Sequence, residues 1–152
     1  MALNARLLFD AMESHALSSG VFEAVNGHEP KSAPGSGLTA AVWSQRIEPV
    51  PRGSGLSSTT GLVIFFLRIY QNMLMQPQDS IDPLVLDAVD LLCAAYSGDF
   101  TLNGLIRNVD LQGSTGSSLS AEAGYITQDN KLFRTMTMTV PLIINDLWEQ
   151  AP

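Results

Sequence analysis

The chain has 152 residues, 45% of them hydrophobic, which suffices for one domain that buries a core without disulfides or metals. The net charge of −7 argues against nucleic-acid binding through phosphates, because that needs clustered basic residues and the eight present are scattered. The single cysteine, Cys93, excludes an internal disulfide framework and a cysteine-rich zinc site.

The N-terminal segment predicts an amphipathic helix over residues 3–18, with Gly20 as its terminator. Asp10 and Glu13 interrupt the apolar run that a signal peptide needs, so we expect this helix to belong to a mature protein made in a cytoplasm. No transmembrane segment is expected. The glycine-, proline- and serine-rich stretch 25–38 predicts a loop.

The stretch 61–73 predicts the strand around which the chain is organised. It is too short for a transmembrane helix, and its apolar residues alternate on both faces. Neither face can therefore lie fully open to water. One face carries Val63, Phe65, Leu67 and Ile69; the other carries Leu62, Ile64, Phe66, Arg68 and Tyr70.

Residues 39–50 alternate as a second strand, with Trp43 and Ile47 predicted on one side. The glycine- and serine-rich residues 52–61 then join it to the organising strand, which predicts a β-hairpin with a long tip. Such a tip is poorly stabilised by itself, so either it orders against a partner or it is merely a flexible connection.

The most regular helix is predicted over residues 83–97, with Asp82 as its N-cap and Gly98 as its stop. We expect it to cover the Phe65 and Leu67 face. Strands are predicted over residues 105–111, 122–128 and 131–142, with a tight turn at Asp129 and Asn130, a second polar tip at 112–120, and an apolar tail that docks Leu147 or Trp148.

No pattern of catalytic residues is found. The stretch around Ser114 resembles a phosphate-binding loop only in its glycines, since the required lysine is absent. His15 and His28 have no partners at ligand spacing, and Asp87 and Asp90 share a helix face without further ligands. We therefore expect a protein that is not an enzyme, with no catalytic, metal or cofactor-binding residues and no cofactor.

The order of segments resembles the tail terminator family of long-tailed bacteriophages. The likeness covers nearly the whole chain, which is treated as one domain over residues 1–152. It is carried by the early helix MALNARLLFDAMESHALSSGVF, the strand pair AAVWSQRIEPVP and GLVIFFLRIYQNM, the helix DPLVLDAVDLLCAAY, and the ending KLFRTMTMTVPLIINDLW. The family has no sharp motif, so no residue role is transferred.

The resemblance implies an α+β fold, with a mainly antiparallel sheet flanked by two main helices, to which the residues add the long-tipped β-hairpin. It also implies a virion structural protein that forms a homo-hexameric ring at the head-proximal end of the tail tube. That ring ends tube polymerisation and joins the head connector or stopper protein. The acidic net charge adds the expectation that DNA passes through the ring without specific binding.

The organising strand and the polar tips supply the predicted subunit or tube interface. Arg68 either pairs with a carboxylate across a subunit boundary or marks where the strand emerges into solvent, and its neighbours are either interface or ordinary core. The full candidate set is Leu62, Ile64, Phe66, Arg68, Tyr70, Arg52, Ser57, Ser58, Ser117 and Trp148. Two alternatives stay open: another head-tail connector component, such as a stopper or adaptor, and a monomeric ligand-binding or enzymatic α+β domain.

Overall fold

The structure is a computed structural model that describes residues 3–29, 37–51 and 58–149. Within these residues, two helices pack on one face of a mainly antiparallel sheet, so the predicted α+β class is confirmed. The helices are α1 (Ala5–Ser19) and α2 (Ile81–Gly98). The strands are β1 (Ala24–Asn26), β2 (Thr39–Pro49), β3 (Ser58–Asn72), β4 (Asn108–Val109), β5 (Ser120–Gln128) and β6 (Lys131–Glu149).

The sheet is built around the central pair of β3 and β6. Its order is β1, β2, β3, β6, and then β4 and β5, which both pair with β6. β1 runs parallel to β2, and the other pairs are antiparallel. β2 and β3 pair antiparallel as the predicted hairpin requires. β3 already begins at Ser58, so the predicted tip of residues 52–61 is wrong over 58–61. Its residues 52–57 lie outside the described residues, so that part of the tip stays a prediction.

Both helices cover what we call the helix face of the sheet, as predicted for the Phe65 and Leu67 side of β3. The ring of Phe9 on α1 meets the Phe65 ring edge-on, with centroids 5.0 Å apart. The buried cluster on this face also includes Leu8, Met12, Ala16, Val63, Val85, Val89, Leu92, Met138 and Val140.

The helix ends follow local chemistry. The Asn4 side chain caps α1 by accepting a hydrogen bond from the Leu7 amide at 3.2 Å, and Gly20, with φ of 72°, ends this helix as predicted. α2 begins at Ile81, so the predicted N-cap role of Asp82 is wrong. Asp82 instead accepts a hydrogen bond at 2.9 Å from Nε of Arg134 on β6, which ties α2 to the sheet.

Three strand predictions change. β1 lies at the start of the predicted loop 25–38, while the predicted strand 105–111 shrinks to β4, because turns occupy most of residues 99–107. The predicted tail is the continuation of β6, whose register with β3 shifts near Gly61. There Leu147 is buried, and its Cδ2 would lie 2.5 Å from a Cβ placed on Gly61.

A β-bulge at Gln45 corrects the predicted alternation of β2. Trp43 lies opposite Phe66, yet Arg46 lies opposite Ile64, so one extra residue separates these two pairs. Trp43 and Arg46 therefore face the side of the sheet opposite the helices. The prediction that Trp43 and Ile47 share a face is wrong, because Ile47 lies on the other side. A period-two pattern gives no warning of such an insertion.

Two fully buried tyrosines differ in one respect. The hydroxyl of Tyr96 on α2 donates a hydrogen bond at 2.9 Å to the Met12 carbonyl of α1. Among the described residues, the buried hydroxyl of Tyr70 on β3 has no partner in good hydrogen-bonding geometry, although the Arg68 guanidinium is near enough to influence its pKa. Burying a hydroxyl costs desolvation free energy, and a hydrogen bond offsets that cost whereas the lack of one does not.

We therefore expect Tyr96→Phe to destabilise the protein by about 1 kcal/mol, because it removes a buried hydrogen bond between the helices. The matched variant Tyr70→Phe should leave stability unchanged or raise it. Urea denaturation midpoints of the two variants measure the difference. Equal losses in both would contradict the assignment of hydrogen bonds.

Candidate interaction surface

The side of the sheet away from the helices, here called the opposite face, carries half of the ten predicted interface residues: Leu62, Ile64, Phe66, Arg68 and Tyr70. No helix among the described residues covers it; its buried side chains form two small clusters at its ends. One cluster contains Val50, Leu62, Ile64 and Ile143, with Phe66 against it. The other contains Ala41, Tyr70 and Phe133, with Trp43 and Ile126 against it.

Of the two interpretations left open for Leu62 and Ile64, interface or ordinary core, the structure places both in the core. Leu62 is 1% exposed and Ile64 is 2% exposed within the single chain. Val50 at the end of β2 and Ile143 on β6 pack against them, and β6 reaches this position only because it runs on through the predicted tail. Phe66 stays half-buried.

Beside this cluster lies a pocket with a volume of about 690 Å³. Its apolar floor is made by Val50, Leu62 and Ile143. Its rim is polar and charged, with Glu48 on β2 and Arg107 just before β4. The lining is completed by Pro49, Pro51, Asn108, Ser114 and Thr115. A mixed lining of this kind suits an apolar group that carries a polar or charged neighbour.

One wall of the pocket is built on Asp110, which follows β4 and is 3% exposed. Its carboxylate accepts hydrogen bonds from the backbone amides of Gly113, Ser114 and Thr115, at 3.1, 3.0 and 2.9 Å. The hydroxyls of Ser114 and Thr115 donate to it as well. The start of the predicted polar tip at 112–120 is therefore ordered by its own chain.

The hydrogen bonds decide the charge state of Asp110. Desolvation by burial raises the pKa of this carboxyl, but the bonds donated by Thr115 and Ser114 favour the charged form more strongly. The net result is a pKa below the usual value of 3.8. The loop is thus held by a carboxylate that is ionised at neutral pH.

We expect Asp110→Asn to cost about 2 kcal/mol at neutral pH, because an amide cannot replace all of these charge-assisted hydrogen bonds. The folded pKa is lowered, so the stability that Asp110 contributes is present above the unfolded pKa and lost as pH falls through the folded value. The gap between wild type and variant should therefore narrow below about pH 4.

Urea denaturation across pH 2.5 to 7 measures the difference in unfolding free energy between the two proteins, and it resolves differences of about 1 kcal/mol. Asp79→Asn, in an exposed turn before α2, is the matched control and should have little effect. A gap that stays constant down to the lowest pH would count against an ionised Asp110.

Arg68 lies near the middle of the opposite face and binds within its own chain. Its Nε donates a hydrogen bond at 2.9 Å to Oγ1 of Thr137, the residue directly opposite on β6. Its guanidinium carbon lies 5.1 Å from the ring centroid of Trp43. The carboxylate of Glu29 is 3.8 Å from Nη1 of Arg68, so the described structure supplies a weak intrachain ion pair.

These contacts join β2, β3 and β6, together with the segment after β1, on one surface. Trp43 meets Phe66 edge-on with ring centroids 6.2 Å apart, and Tyr70 lies two residues beyond Arg68. Burial raises the pKa of the Tyr70 hydroxyl, and the charge of Arg68 offsets part of that rise. Tyr70 is 1% exposed and belongs to the core, whereas Trp43, Phe66 and Arg68 remain accessible in part.

Arg68→Lys should lower stability by about 1 kcal/mol, because lysine keeps the charge but cannot both bond Thr137 and lie flat over Trp43. Arg46→Lys is the matched control, since Arg46 is half-exposed and its one ion pair within the described residues is with Glu48 at 3.5 Å. Urea midpoints compare the two substitutions. Indistinguishable midpoints would show that the contacts of Arg68 contribute nothing.

The remaining candidate residues are dispersed. Ser58 donates a hydrogen bond at 2.6 Å to Asp146, and Ser117 is half-buried in the loop after Asp110. Trp148 near the end of β6 is 41% exposed, while its neighbour Leu147 is the tail residue that docks. Arg52 and Ser57 lie outside the described residues.

Groups with catalytic potential are few in the described part of the chain. It contains no cluster of three or more histidine, cysteine, aspartate or glutamate side chains that could hold a metal ion. His15, for which the sequence predicts no partner, lies 2.9 Å from the Asp99 carboxylate and edge-on to Tyr96, and so links α1 to the end of α2. None of the helices described has the length and apolar character needed to cross a membrane.

Sequence reasoning missed Asp110, Arg107 and Glu29. A signal existed for Asp110 alone: an aspartate followed within five residues by glycine, serine and threonine favours side-chain capping of a turn. Arg107 and Glu29 acquire their places only through long-range packing.

The chain matches no protein-family model and no curated protein.

Proposed function

We propose that this protein is a ring-forming tail terminator of a long-tailed bacteriophage. It assembles with copies of itself, as a hexamer, on the head-proximal end of the tail tube in the virion. The ring ends polymerisation of the tail tube protein and presents a joint to the head connector or stopper protein. Synthesis takes place in the bacterial host, before the ring joins the tail.

The observation that carries the proposal is the unequal covering of the sheet. Both helices lie on the helix face, while the opposite face holds half-buried Trp43, Phe66 and Arg68 beside a pocket of about 690 Å³. Surfaces that combine aromatic side chains, arginine and a preformed pocket are suited to protein contacts. The order of segments along the chain, which resembles tail terminators, gives the contact its biological setting.

The charge of the chain is compatible with a passage for DNA. A net charge of −7 repels a duplex, so DNA slides through the ring without specific binding. The contacts that matter are then protein contacts within the ring and towards the tube and connector.

A second candidate draws on the same pocket. A monomeric ligand-binding domain would use the apolar floor of Leu62 and Ile143 and the charged rim of Arg107 to hold a small molecule. A stopper or adaptor of the head-tail joint would share the assembly behaviour but leave tube length unchanged. Tube length and oligomeric state together separate the three.

The decisive experiment adds the purified protein to assembling tail tube protein of the same phage. We expect tubes of normal length with the wild type and overlong tubes without it, measured by electron microscopy. Phe66→Glu, which places a charge on the opposite face, should reduce this effect if that face makes the contacts. Its folding is checked by circular dichroism, and Tyr125→Glu, on an exposed side chain of β5, is the control.

Tubes that grow past normal length in the presence of folded wild type would overturn the terminator proposal. Light scattering on the protein alone separates the alternatives further, since a stopper assembles without limiting tubes and a ligand-binding domain stays monomeric.

A further inference from the structure

The pocket on the opposite face has an uncompensated positive charge at its rim. Arg107 is exposed, and its only described side-chain contact is a marginal hydrogen bond at 3.5 Å to Asn145. Glu48, across the rim, is already matched by Arg46 at 3.5 Å. Among the described residues no carboxylate pairs with Arg107, although the chain is strongly acidic.

The pocket is also pre-organised. Leu62 and Ile143 form a floor held in the sheet, and the Asp110 carboxylate fixes the wall that contains Ser114 and Thr115. A site whose walls are already ordered loses less conformational entropy when it is filled. It suits an apolar side chain whose neighbour carries a negative charge.

The outer side of α2 presents that chemistry. Leu86 is 57% exposed and Leu91 is 42% exposed, with exposed Asp87 and Asp90 between them. Residues three and four positions apart lie side by side on a helix, so each leucine has an aspartate neighbour. This leucine and aspartate patch is apolar and acidic, as the occupant of the pocket must be.

The patch and the pocket lie on opposite sides of the sheet, because α2 packs on the helix face. On that side Asp87 and Leu91 border a second pocket, which Leu38 and Gln71 also line. The patch and the pocket beside Arg107 therefore cannot meet within one chain. We propose that they meet between two copies: a leucine of the α2 patch of one copy enters the pocket of the next, and Asp87 or Asp90 pairs with Arg107.

A contact between two different surfaces repeats from copy to copy, and it closes into a ring when the rotation between copies allows. The inference rests on the proposed function, for which it supplies the subunit contact. It also assigns direction to the ring, since every subunit offers its helix to one neighbour and its pocket to the other.

The test is charge reversal, read out by analytical ultracentrifugation and light scattering. Arg107→Glu alone and the double variant Asp87→Arg with Asp90→Arg should each weaken self-association by about tenfold or more, because like charges then face each other. The triple variant that combines all three substitutions should recover association. Arg6→Glu, an exposed reversal on α1, is the control and should leave association unchanged.

A wild type that stays monomeric at its highest soluble concentration would overturn the contact, as would a ring that resists all the reversals. A ring that responds to the reversals but does not limit tube length supports the contact and overturns the terminator function. A ring that limits tube length but resists the reversals supports the terminator function and overturns the contact. Failure of the contact and failure of the function therefore give different results.

Discussion

The constraint that shapes this protein is the double-sided burial of β3. Side chains on both faces of this strand are apolar, and an apolar side chain contributes about 2 kcal/mol only when it is removed from water. Val63 and Phe65 are buried under the helices, and Leu62 and Ile64 are buried on the other side without a helix above them. The rest of the chain therefore covers both faces of β3, with helices on one face and with other segments on the opposite face.

The two faces of the sheet are covered by different kinds of structure. On the helix face, α1 and α2 present regular apolar stripes, and the Arg134 contact to Asp82 fixes α2 to the sheet. On the opposite face, the cover comes from Val50, which directly follows β2, and from the extension of β6. The loop that is hydrogen-bonded to Asp110 lies beside them. Because irregular segments replace a helix there, a pocket and half-buried aromatic side chains remain accessible.

The elements with strong periodicity were predictable from sequence. The alternation of β3, the apolar stripe of α2, the threonine and methionine faces of β6 and the Asp129–Asn130 turn, with φ of 53° and 62°, all follow local rules. The bulge at Gln45, the pairing of Arg68 with Glu29 and the cover over Leu62 depend on residues distant in sequence. No local pattern predicts these features, so the sequence alone could not show which residues of the opposite face stay accessible.

The long β6 strand has a consequence for how the chain reaches its fold. Its Thr137 meets Arg68 across 69 positions of sequence, so the central pair of the sheet closes only after nearly the whole chain has been made. Until then β3 has its apolar faces and one hydrogen-bonding edge unpaired, which is the condition that favours misassociation and slows folding. Late closure leaves one hydrogen-bonding edge of β3 open to wrong partners for most of synthesis, so a chain truncated before β6 should yield insoluble product.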